Sequence, residues 1–248
     1  QLAYNNSKPY GLKNYFGKAK LRKISPYHLQ QYVNLLSKNL SAKSIKNYTM
    51  LLGVLFKLAV QEKIIYENPM RDVKKPPQKR PPIEAYNLEE FNLILKLAAE
   101  DSNPDIKLIM FLALLTGARR GELAALKWTD CDWDQGCIHV SKCRLVVDRK
   151  EYIKEPKTNA GNRTIFVPDQ LMKILREYKR RYDMNRLKYG EKFVDSGYVI
   201  CKDNGEAFSP QGISNNYLRF MSRHSDKIRY LKFHGLRHTY ASILCENG

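Results

Sequence analysis

Three short stretches hold the residues best suited to chemistry, and all three are cationic. The first reads Thr116-Gly117-Ala118-Arg119-Arg120-Gly121-Glu122-Leu123. A long apolar run stops at Gly117 and a new helix is expected at once, so Arg119 would be held by core elements yet face outward. The second, Glu155-Pro156-Lys157-Thr158-Asn159-Ala160-Gly161-Asn162-Arg163, is rich in turn formers and lies between two strand-like runs. That places Lys157 on or beside a hairpin. The third is His234-Gly235-Leu236-Arg237-His238. Positions three apart at a helix start share a face, which brings His234 and Arg237 together. His238 reads as a packed or capping histidine. Each stretch alone has a plainer explanation: an ion-pairing arginine, a solvated loop lysine, a structural histidine. Together they point to an anionic partner.

Other chemistries lack their residues. There is no GxxxxGK[ST] loop and no GxGxxG after a strand, so no nucleotide cofactor is expected. No HExxH and no paired-carboxylate motif stands out. The five cysteines, Cys131, Cys137, Cys143, Cys201 and Cys245, form no C-x-x-C or Cys/His cluster at zinc-ligand spacing. They read as reduced packing thiols, and no metal is expected.

The elements that must position these groups follow from periodicity. Ser25-Pro26 starts a helix, with serine as N-cap and proline at the first helical position. Leu29, Val33 and Leu36 form its apolar stripe. A second helix starts at Ser41, with a stripe of Ile45, Tyr48, Leu52, Leu55, Phe56 and Ala59. Its other face carries Lys43, Lys46, Asn47 and Lys57. Asn68-Pro69 ends this region. Lys74 to Pro82 reads KKPPQKRPP, four prolines and four basic residues, an extended basic linker. Asn87 with Glu90 resembles a capping box, and Phe91, Ile94, Leu95 and Ala98 supply a buried face. Pro104 opens another helix; its almost wholly apolar stretch Ile109 to Leu115 makes it a central buried element.

From Cys137 the period changes to two. Ile138 and Val140, Leu145 to Val147, Tyr152-Ile153 and Thr164 to Val167 read as a small antiparallel sheet. Helices resume over Asp169–Arg186, over Pro210–Arg223, and from about Gly235. Tyr198 to Cys201 is expected as a short strand closed by the turn Asp203-Asn204-Gly205. The fold expected is mainly α with a small antiparallel β-sheet, in two domains, 1–73 and 87–248, joined by a linker over 74–86.

Composition agrees with a globular protein that has a polyanionic partner. Hydrophobic residues are 43% and charged residues 27% of the 248. The formal net charge is +18 and unevenly spread: 16 Lys/Arg against 4 Asp/Glu in residues 1–84, and 27 against 21 in the rest. A basic N-terminal third suits nucleic acid. No apolar run approaches a membrane span, and the polar opening Gln1 to Tyr10 has no signal-peptide core. These features predict a cytoplasmic, nucleoid-associated prokaryotic protein. The opening without methionine suggests a fragment.

The order T-G-x-R-x-x-E-L, P-K-T-x-x-G-x-R and H-x-L-R-H-T closely resembles the phage-integrase family of tyrosine recombinases. Leu40-Ser41, the long helix after it, and Ile65-Tyr66-Glu67-Asn68-Pro69 resemble that family's core-binding domain. The resemblance runs from about Leu21 to Gly248. It implies a C-shaped clamp on duplex DNA, made of a helical core-binding domain and an α+β catalytic domain. It implies that Arg119 and Arg237 hold the scissile phosphate, with Lys157 and His234 as the family's hairpin lysine and second-motif histidine. Glu122 would support the arginine loop. Arg163, Lys43, Lys46 and Asn47 would contact DNA. The reaction implied is site-specific recombination through a 3′-phosphotyrosyl intermediate, without cofactor, by a tetramer on paired sites.

One feature departs from the family pattern. The family's nucleophilic tyrosine lies tens of residues beyond H-x-L-R-H-T, whereas Tyr240 lies only three past Arg237. The 248 residues are therefore expected to bind DNA without cleaving it. Three other functions compete: a DNA-binding repressor or architectural factor, a type IB topoisomerase, and a helical RNA-binding protein. The intact basic motifs weigh against the first, the compact motifs and small N-terminal domain against the second, and tyrosines placed on apolar stripes against the third.

Overall fold

The computed structural model describes residues 10–77, 82–148, 150–155 and 162–247. Lys157 and the rest of 156–161 therefore lie outside the described residues, as do 78–81 of the proline-rich linker. The chain divides into two compact units, Gln1–Pro81 and Pro82–Gly248.

The first unit contains helices α1 (Leu12–Phe16), α2 (Pro26–Asn39) and α3 (Ala42–Gln61). Ser25 caps α2 in a reciprocal box with His28, and Ser41 caps α3 by accepting from the Ser44 amide. Leu29, Tyr32, Leu36, Ile45, Leu52 and Phe56 close a small core. Asn68 replaces helix with a turn: its amide donates to Gly53 O at 3.1 Å, and its Oδ1 accepts from the Met70 amide at 2.9 Å. Gln30 pairs with the backbone of Lys74 in both directions, pinning the start of the basic linker to α2. Leu55 corrects the expected stripe. It is 46% exposed and shares the outer side of α3 with Met50, Val54 and Leu58. The core face runs through Leu52, Phe56 and Ala59, at i, i+4 and i+7, and Leu55 falls just off it.

The second unit is built around α5 (Pro104–Thr116), apolar on every side and buried almost throughout. Helices α4 (Leu88–Glu100), α7 (Asp169–Tyr189), α8 (Pro210–Arg223) and α9 (Phe233–Asn247) pack on it, and the one-turn helix α6 (Arg120–Leu123) follows it. The capping box at Asn87 is present: Asn87 N donates to Glu90 Oε2 at 2.9 Å and Glu90 N to Asn87 Oδ1 at 2.8 Å. α9 starts at Phe233, two residues before Gly235, so His234 sits in its first turn. The buried Thr239 hydroxyl accepts from the Tyr86 amide at 3.0 Å and donates to Gly235 O at 3.0 Å, tying α9 to the start of the unit.

The strands form two sheets where one was expected. β1 (Cys131–Asp132), β2 (Cys137–Val140) and β5 (Arg163–Phe166) make an antiparallel sheet in the order β1-β2-β5. Among the described residues, β3 (Cys143–Val147) and β4 (Lys150–Lys154) pair only with each other, Cys143 opposite Lys154 and Val147 opposite Lys150. Alternation marks a strand but not its partner; β5 returns to β2 and leaves the intervening hairpin outside. Tyr198–Cys201 is likewise not a strand. Tyr198 bridges Lys127 and Cys201 bridges Ala207, so its two ends pair with different segments. The turn after it forms, with Gly205 at φ 80°. Among the described residues, no helix is long and apolar enough to cross a membrane.

Candidate active site

The chain between α5 and α6 is shaped by two side chains and one glycine. Thr116 is buried; its hydroxyl donates to Leu112 O at 2.6 Å and accepts from the Ala118 amide at 3.1 Å. Gly117 ends α5 in the left-handed region, φ 57°. A Cβ there would lie 2.3 Å from Tyr240 Cδ1, so both the turn and the approach of α9 require glycine. This tight turn lets the Gly117 carbonyl accept from Arg237 Nη1. α9 is thereby latched to the end of α5 through a candidate catalytic arginine.

Arg119 follows as the N-cap of α6 and is held by Glu122. The Arg119 amide donates to Glu122 Oε2 at 2.9 Å and its Nη1 to Oε1 at 2.8 Å. Arg163 Nη2, from the first residue of β5, donates to the same Oε2 at 2.8 Å. Glu122 is only 8% exposed, whereas the Arg119 side chain is 54% exposed. Burial pushes the Glu122 carboxyl up, but the Arg163 and Arg119 donors outweigh it and hold the group below its ordinary range. Glu122 thus keeps its charge and couples two arginines.

Arg119, His234 and Arg237 share a cleft of about 550 Å³. Sequence reasoning missed further polar side chains on its wall, among them Arg120, Ser214 and Lys232. Arg120 Nη1 donates to Ser214 Oγ at 2.8 Å. Both cations stand beside the motifs, Arg120 next to Arg119 and Lys232 two residues before His234, and that adjacency was the available signal. Among the described residues, the cleft wall includes no carboxylate.

The cations repel one another. Burial first, then Arg119 and Arg163, lower the pKa of Arg237. Burial first, then His238, Arg237 and Arg119, lower that of His234. His238 is not a helix cap; its ring lies edge-on to His234 at 4.8 Å. A cleft crowded with positive charge, with Glu122 beside it already committed to Arg119 and Arg163, is arranged to receive an anion. The arginines offer planar forks for its oxygens, and His234 is kept in its neutral, proton-accepting form.

Lys157, the fourth expected catalytic residue, lies outside the described residues. Lys43, Lys46 and Asn47 are exposed on the first two turns of α3, in the first unit.

The phage integrase family model matches residues 86–248. The chain belongs to the phage integrase family. Curated relatives include a tyrosine recombinase XerC-like protein of Caldanaerobacter subterraneus subsp. tengcongensis, 31% identical over 98% of this chain and 64% of the relative. The ICEBs1 integrase of Bacillus subtilis is 28% identical over 96% of this chain and 64% of the relative. The chain thus spans a little under two thirds of the length of either one. In fold, this integrase-family chain is similar to the Tn1549 transposon integrase, with a TM-score of 0.77 at 24% identity, covering 94% of this chain and 76% of that one. It is also similar to lambda integrase, with a TM-score of 0.66 at 19% identity over 95% and 79%.

Proposed function

We propose that this chain is the DNA-binding and phosphate-activating part of a site-specific tyrosine recombinase of a mobile element. One observation carries the reading: Arg119, Arg237 and His234 converge on a single cationic cleft, with Glu122 bracing the first arginine. Family membership supports the reaction class. Structures similar in fold include integrases in complex with transposon-end or core-site DNA, and a lambda integrase tetramer on a Holliday junction.

On this reading the cleft takes one phosphodiester. Attack at phosphorus builds negative charge on the non-bridging oxygens, and Arg119 and Arg237 neutralise it. A tyrosine oxygen forms the new bond to phosphorus while the bond to the 5′ oxygen breaks. His234 takes the tyrosine proton, and Lys157 delivers one to the departing 5′ oxygen. The 3′-phosphotyrosyl link conserves the bond energy, so rejoining to another strand needs no nucleotide. Tyr217 is unsuited to attack: its hydroxyl donates to Leu231 O at 2.8 Å and burial raises its pKa. We place the attacking tyrosine in the part of the relatives that this chain does not span. Lys43, Lys46 and Asn47 supply the N-terminal DNA contacts, Arg163 a further one, and the working assembly is a homotetramer on two duplexes. The protein acts on the prokaryotic nucleoid.

Duplex binding tests the reading. The affinity should fall with salt at a log–log slope steeper than about −5, and duplex DNA should outcompete single strands and RNA. A slope near about −1 to −2, or preference for single-stranded RNA, would contradict it.

A further inference from the structure

We propose that the β1-β2-β5 sheet carries a site for a thiophilic divalent cation of the zinc class, bound by Asp132, Cys137 and His139. One potential ligand atom from each of the three lies within 4.8 Å of the other two. Strand geometry explains the meeting. Cys137 and His139 are two apart on β2 and share a face, and Asp132 on β1 is directly opposite Cys137. Their neighbours Ile138 and Val140 belong to the hydrophobic core, so this triad occupies the other face.

Two of the three candidate ligands are already oriented by hydrogen bonds. Asp132 Oδ1 accepts from the Asp134 and Gln135 amides at 3.1 and 2.8 Å, which fixes the carboxylate and leaves Oδ2. His139 is steadied by Thr164, opposite it on β5, with Nδ1 and Oγ1 3.0 Å apart. A partner on one ring nitrogen is the usual support for a metal-binding histidine. The Cys137 thiol is buried and, among the described residues, makes no hydrogen bond. Sulfur, nitrogen and oxygen donors at the corner of a sheet suit a tetrahedral ion whose fourth place goes to water. Tetrahedral edges at zinc distances are roughly 3.5 Å, so the three ligand atoms must draw closer to enclose the ion. Binding replaces the thiol proton, which leaves to solvent, and involves no redox change. The sequence hides this set because a strand brings ligands together at i and i+2 and across a turn, not at the spacing of a zinc finger.

The inference does not depend on the recombinase reading, and a cobalt titration of the 248-residue chain tests it. The expected result is one equivalent bound, with a thiolate-to-cobalt charge-transfer band in the near ultraviolet that zinc displaces. Cys137→Ser should abolish the band. His139→Gln changes an exposed side chain, leaves the fold intact, and should weaken binding by at least tenfold. Thr164→Val should weaken it about tenfold. Absence of the band, its full survival in Cys137→Ser, or unchanged affinity in His139→Gln would overturn the site.

Discussion

Glu122 is the residue on which the site's charge balance turns. It is the only acid that touches both Arg119 and Arg163 among the described residues, and it is almost buried. Its depressed carboxyl pKa gives a signed prediction. A group that ionises more readily folded than unfolded adds stability above its ordinary pKa, and that stability is lost as the pH falls through the folded value. Glu122→Gln should therefore lower the melting temperature most near neutrality, with the gap to wild type closing below about pH 4. A constant gap across that range would remove the charge from the explanation. On the proposed reaction, Arg119→Met and Arg237→Met should each slow strand cleavage by the complete protein by about 10²–10³-fold. Lysine at either position should not restore the rate, because one ammonium cannot replace a two-pronged fork.

His234 carries the opposite signature. Its pKa is lowered by burial and then by neighbouring cations, so the free site resists its protonation. An added phosphate relieves the repulsion and raises the ring's affinity for a proton. Binding of a phosphodiester should then tighten as pH falls from about 7.5 to about 6, and His234→Gln should flatten that profile. A profile unchanged in His234→Gln would assign the pH dependence to another group. The residue types of this site were legible because motif spacing names positions. Ser214 was not, because it reaches the cleft from α8 without a motif of its own.

At the scale of elements, the α5–α6 junction determines where the arginines stand. Gly117→Ala would force a side chain into the left-handed region and onto the Tyr240 ring. The expected cost is about 1–3 kcal/mol, with cleavage falling more than stability because Arg237 loses its latch. Thr116→Val keeps the shape but leaves the Ala118 amide unpaired in a buried place, a loss of about 1–3 kcal/mol by chemical denaturation. Helix starts were readable from Ser25-Pro26, Ser41 and Asn87, since capping is local chemistry. Strand partnership was not: nothing in Leu145 to Val147 says that β3 pairs forward to β4 while β2 waits for β5. Leu55 misled because apolar residues one position apart on a helix can fall on different sides of a narrow stripe.

At the scale of the molecule, charge and family membership agree. The basic N-terminal third, the cationic cleft of the second unit and the match over residues 86–248 all indicate a protein that handles phosphodiesters. The family was legible in the sequence because its arginine and histidine motifs stand out at element boundaries. The most direct test uses the complete protein that carries this chain, incubated in EDTA with nicked duplexes bearing the junctions of its element and then denatured. A denaturant-resistant adduct linked through tyrosine, lost in Arg119→Ala and Arg237→Ala, is the predicted result. Tight binding without an adduct, or an adduct that forms only when divalent metal is supplied, would contradict the account.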